Sequence, residues 1–143
     1  MYFKNYENSL RNLPLKGMYD KKDLLTDEFV YAKDGKVEVY WAPFEFINRE
    51  AKVIILGITP GWTQMELAFN YVRHHIDEEN YEQLISNAKN NASFGGTTMR
   101  KNLIDMLDGI GLHNYLHITS SEQLFHDKHS LLHTTSVLRY PVF

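Results

Sequence analysis

The chain has 143 residues, 43% of them hydrophobic and 13% aromatic, enough for one core and too short for two domains. That composition excludes wholesale disorder, and no apolar run approaches the ~20 residues of a membrane span. There is no cysteine, which removes disulfides, thiolate metal sites and a cysteine nucleophile, and the formal net charge of −3 confines any nucleic-acid contact to a local patch. Lys4, Asn5 and Glu7 stand where a signal peptide needs an apolar stretch. The expectation is one soluble, cytoplasmic α/β domain over residues 1–143, with residues 1–50 as a leading segment.

In residues 1–27 the Leu13-Pro14-Leu15 and Lys16-Gly17 steps break any long helix. Phe29 to Tyr31, Asp34-Gly35 and Val37 to Trp41 predict a hairpin, because Asp-Gly between alternating apolar residues suits a tight β-turn. Ala51 to Leu56 is, Lys52 aside, apolar and rich in β-branched residues, the pattern of a strand buried on both faces of a parallel sheet. It runs into the breaker-rich turn Gly57-Ile58-Thr59-Pro60-Gly61. Thr63 and Glu66 have capping-box spacing and predict a helix through Arg73.

A second helix is predicted from Glu78 to about Lys89, with Tyr81, Leu84, Ile85 and Ala88 on one face. Asn90 to Thr98, containing Phe94-Gly95-Gly96, reads as a loop. A third helix carries Met99, Leu103, Met106, Leu107 and Ile110 at helical spacing and ends at Gly109 and Gly111. Thr119 with Glu122, and Ser120 with Gln123, have capping spacing for a short helix, and Leu131 to Val142 reads as a strand ending at Pro141. Two parallel strands with a helical crossover make half of a doubly wound sheet. The element count therefore predicts the N-terminal part of a larger fold, or a sheet completed by self-association.

Ligands of open α/β sheets sit beyond the carboxyl ends of the strands, which singles out Gly57 to Trp62 and Ser136 to Pro141. Glycines in the first of these let a ligand approach the backbone, and the helix start offers unpaired N–H groups. Trp62 either lines such a site or staples the helix. Seven histidines show no compact ligand spacing and read as solvated loop residues, so neither a metal nor a cofactor is expected. Asp105 and Asp108 read as a solvated helix face. Arg100, Lys101 and Arg139 are the cations placed to meet a phosphate backbone.

The stretch Val53-Ile54-Ile55-Leu56-Gly57-Ile58-Thr59-Pro60-Gly61 resembles the first motif of the uracil-DNA glycosylase superfamily, a buried strand ending in a Gly-x-x-Pro-Gly loop. Phe94-Gly95-Gly96 is similar to the segment that supplies a stacking ring. Thr135-Ser136-Val137-Leu138-Arg139-Tyr140-Pro141 is similar to the strand that presents an amide to the uracil edge. The resemblance implies a three-layer α/β/α fold around a central parallel sheet and a DNA partner. It further implies hydrolysis of an N-glycosidic bond after base flipping. Transferred by position, Thr59 would hold the water, Gly57, Ile58, Pro60, Gly61, Phe94 and Ser136 would contact the base, and Trp62, Arg100, Lys101 and Arg139 the DNA. Ile58 and Thr59 stand where the superfamily carries Asp, Glu or Asn, and Ser136 replaces an amide. A hydroxyl holds a water but is no base near neutral pH, so the alternative implied is an inactive DNA- or protein-binding module of the same fold.

Overall fold

Phe3, Tyr6 and Leu10 repeat at i, i+3 and i+7, and in the computed structural model, which describes residues 2–143, they lie on one side of helix α1 (Phe3–Asn12). Pro14 forces its predecessor Leu13 into extended backbone and ends the helix. A four-residue helix α2 (Lys21–Leu24) leads to the antiparallel hairpin β1 (Val30–Asp34) and β2 (Val37–Tyr40). Gly35 at the turn has φ 58°, a conformation that favours glycine. Trp41 follows at 0% exposure, stacked on Tyr6 at 4.3 Å and edge-on to Phe69. Truncating a buried ring of that size costs about 3–5 kcal/mol.

Strand β3 (Val53–Gly57) pairs in parallel with β4 (Leu132–Ser136), from Val53 opposite Leu132 to Gly57 opposite Ser136. Between them run α3 (Trp62–His75), α4 (Tyr81–Ala92), α5 (Thr97–Gly109) and the one-turn α6 (Leu112–Tyr115). The main core joins Met65, Ala68, Phe69 and Val72 of α3 to Leu84, Ile85, Ala88 and Ala92 of α4, together with the aromatic residues of the leading segment. A second cluster sets Leu124, Phe125 and Leu132 against Val53 and Ile55 of β3 and Leu103 and Ile104 of α5. The protein is thus mixed α/β with one parallel and one antiparallel pair of strands. No helix among the described residues is long and apolar enough to cross a membrane.

Four expectations are corrected. Strand β3 is not buried on both faces: Val53 and Ile55 pack inward, while Ile54 and Leu56 are 67% and 63% exposed, because no helix among the described residues crosses that side. The predicted stripe on α5 is rotated, with Leu103 and Ile104 packed and Met99, Met106 and Ile110 open. The last strand stops at Ser136 rather than Val142. The chain then turns so that Val142 bridges Val39 antiparallel and Pro141 accepts from the Tyr40 N–H, which ties the parallel pair to the hairpin. Glu66 does not cap α3; it is buried, and its carboxylate accepts the Tyr19 N–H at 3.0 Å.

Candidate ligand cleft

The turn after β3, the start of α3, the end of α4 and the end of β4 enclose a cleft of about 290 Å³. Thr59, Gly57, Pro60, Gly61, Phe94, Ser136 and Arg139 line it, so three segments whose lining residues lie up to 82 positions apart meet at the carboxyl ends of the two parallel strands. Gly57 is needed there for space: a Cβ would sit 3.3 Å from Ser136 Oγ. The Thr59 hydroxyl lies 3.3 Å from the Tyr140 carbonyl and 3.4 Å from that of Pro60.

The other named residues lie elsewhere. Ile58 is 80% exposed on the outer side of β3 and does not line the cleft, because side chains alternate along a strand and Gly57 takes the inner position. Trp62 packs edge-on to Phe143 and joins the main core, so of its two readings the helix staple is the one seen. Arg100 turns inward: its guanidinium donates to the carbonyls of Asn90, Asn91 and Ser93 at the end of α4 and lies 5.0 Å over the Phe125 ring. Lys101 pairs with Asp105 four residues on. Asp108 is not a solvated face residue, since it accepts from Ser120 Oγ and the Ser121 N–H. Hydrogen bonding from Ser121 first, and then from Ser120, holds its carboxyl below the usual range.

Phe94 shapes one wall. Its φ is 50°, a left-handed conformation that costs a non-glycine residue of order 1–2 kcal/mol. Gly95 permits the turn, since a Cβ there would fall 2.4 Å from Leu67 Cδ1 and 2.9 Å from the Ala92 carbonyl oxygen. Gln64 then ties this loop to the glycine turn. Its Oε1 accepts the Gly61 N–H at 3.0 Å, capping α3, and its Nε2 donates to the Gly95 carbonyl at 3.1 Å. On the floor, Ser93 Oγ donates to the Lys89 carbonyl at 2.7 Å and meets Thr134 Oγ1 at 2.5 Å. With the Ser93 proton committed, Thr134 must donate to Ser93 and presents only lone pairs to the cleft.

The cleft is electropositive. Two cations, Lys89 and Arg139, line it and no carboxylate does. Lys89 is 7% exposed, and its ammonium donates to the Phe46 carbonyl at 2.7 Å. Burial, with Arg139 as a second contributor, pushes its pKa down to about 8. Burial and the same two cations hold His133 below its ordinary value.

Gln64 and Lys89 escape the sequence reading for different reasons. Gln64 is three residues after Gly61, a capping signal that Thr63 and Glu66 mask by offering the same spacing two residues later. Lys89 follows Ile85 by four residues on the apolar stripe of α4, but a lysine in a last turn has its own helix-dipole reason to be there.

No protein-family model and no solved structure matches this chain. It is 43% identical over 125 residues to an uncharacterized protein, YoxB, of Bacillus subtilis (strain 168). The match takes in 86% of this chain and 48% of that protein, so the chain spans about half the length of the curated relative it matches.

Proposed function

We propose that the cleft binds a nucleobase extruded from DNA, in a protein with the three-layer α/β/α fold of the uracil-DNA glycosylases. One observation carries the reading: the glycine turn, Phe94 and Ser136, three segments far apart in sequence, converge on a single cleft beyond two parallel strands. Phe94 supplies a ring to stack on, Ser136 and Thr134 supply polar atoms for the base edge, and the glycine turn admits the sugar. A third layer would lie on the open side of β3, over Ile54 and Leu56. If the N-glycosidic bond is cleaved, Thr59 positions the water that attacks the sugar carbon as the C–N electron pair leaves with the base, and the water's proton passes to the departing base anion. The absence of a carboxylate among the lining residues favours a second reading, in which a protein of this fold recognises the base without cutting.

The test is incubation of the protein with labelled single- and double-stranded oligonucleotides carrying uracil, hypoxanthine or no lesion. Release of free base establishes the glycosylase. Lesion-dependent binding without release establishes the recognition module. Equal affinity for lesion and control, with no release, refutes both.

A further inference from the structure

Lys89 and Arg139 share one cleft in a chain whose formal net charge is −3. An ammonium 7% exposed is costly to keep without a counter-charge. Among the described residues no carboxylate pairs with Lys89 or Arg139. Lys89 Nζ has three N–H donors, of which one meets the Phe46 carbonyl. Arg139 stands exposed on the rim, and Gly61, the N-cap of the fourteen-residue α3, lines the same space.

We propose that Lys89 and Arg139 form an oxyanion subsite that takes the phosphate monoester of a nucleotide. The charges select the ester. Two side-chain cations match a phosphate monoester, which carries about −1.5 to −2 near neutral pH, whereas a phosphodiester with one charge leaves a cation unmatched. Lys89 at the floor and Arg139 at the rim grip the group from two depths, and the α3 N-terminus adds a favourable dipole. The inference rests on the nucleobase reading for the base half of the ligand only, and its occupant is a free nucleotide rather than a base within DNA; the phosphate half stands on Lys89 and Arg139 alone.

Calorimetric titration near pH 7 with four probes tests it: 2′-deoxyuridine, its 5′-monophosphate, inorganic phosphate and a uracil-containing dinucleotide joined by a phosphodiester. The monophosphate should bind at least about tenfold more tightly than the nucleoside, the worth of one charge-assisted contact, and inorganic phosphate should compete with it. Arg139→Gln, at an exposed position, should cut that advantage to about twofold, and Lys89→Met should do the same if it folds. Equal affinity for nucleoside and monophosphate overturns the subsite, as does an advantage that survives Arg139→Gln. A diester that binds as tightly as the monoester overturns the monoester assignment. Phosphate binding with no gain from the base refutes the nucleobase reading and leaves the subsite standing; nucleoside binding with no gain from phosphate does the reverse.

Discussion

Replacing Gln64 tests whether one amide holds the two halves of the cleft together. The side chain makes two hydrogen bonds of ordinary length, to the Gly61 N–H and the Gly95 carbonyl. Each is worth about 1 kcal/mol net, so Gln64→Ala should cost about 2 kcal/mol. For 143 residues the unfolding entropy is about 300 cal/mol/K, so 1 kcal/mol moves Tm by about 3 °C and the alanine variant should melt about 6 °C below the parent. Gln64→Glu separates the two bonds. Its carboxylate still accepts the Gly61 N–H and gains from the helix N-terminus, but it has no proton for the Gly95 carbonyl and faces it oxygen to oxygen. It should melt about 3 °C low and release the Phe94 loop, so ligand affinity falls more than stability does. Thermal melts with matched titrations of a uracil nucleoside read both effects. An alanine variant melting within about 1 °C of the parent, or a glutamate variant that binds as the parent does, refutes the clasp.

Phe94→Ala should weaken binding of a uracil-containing oligonucleotide by about 1–3 kcal/mol while leaving a cooperative melt, and loss of the folded state would place the ring in the core instead. Arg100→Ala strips the carbonyls at the end of α4 of their donor and should lower stability by about 2–3 kcal/mol in urea titrations, against about 0.5 kcal/mol for Lys101→Ala on the exposed face. Lys89 gives stability a signature in pH. Its folded pKa, about 8, lies below its ordinary 10.5, so between those values the unfolded chain binds the extra proton. Stability therefore rises with pH through that window, by at most about 3 kcal/mol, and Lys89→Met should lose this slope; parallel slopes for parent and variant across pH 7.5 to 9.5 would refute the buried charge.

The elements that build the cleft were legible where local chemistry is one-sided. Asp34-Gly35 between alternating apolar runs marked the hairpin beside the cleft, and Ala51 to Leu56 before a glycine turn marked β3 with a helix to follow, though the cap of α3 is Gly61 with Gln64 rather than Thr63 with Glu66. Residues Gly57, Thr59, Gly61, Phe94 and Ser136 were named from their segments and do line one cavity. What stayed hidden depends on partners distant in sequence. Helix α1 hides because Lys4, Asn5, Glu7, Asn8 and Ser9 outnumber the apolar residues that its aromatic neighbours bury. The two faces of β3 look alike in sequence, since Ile54 is as apolar as Ile55, and only the placement of α5 separates them. Arg100 and Lys101 are adjacent and alike in charge, yet one caps a helix and the other faces water.

The bridge between Val39 and Val142 also bears on how the chain is made. Strand β2 meets β1 within a few residues, but its other edge waits for a partner 103 positions later. During synthesis at about 5–20 residues per second, that edge stays open for roughly 5–20 s, with its N–H and C=O groups unpaired. The same segment carries Tyr140 and Pro141, both buried, into the hairpin side of the core. The leading segment therefore gains these neighbours only once residues 140–143 arrive, and its folding waits on a distant segment rather than on its own fast local turn.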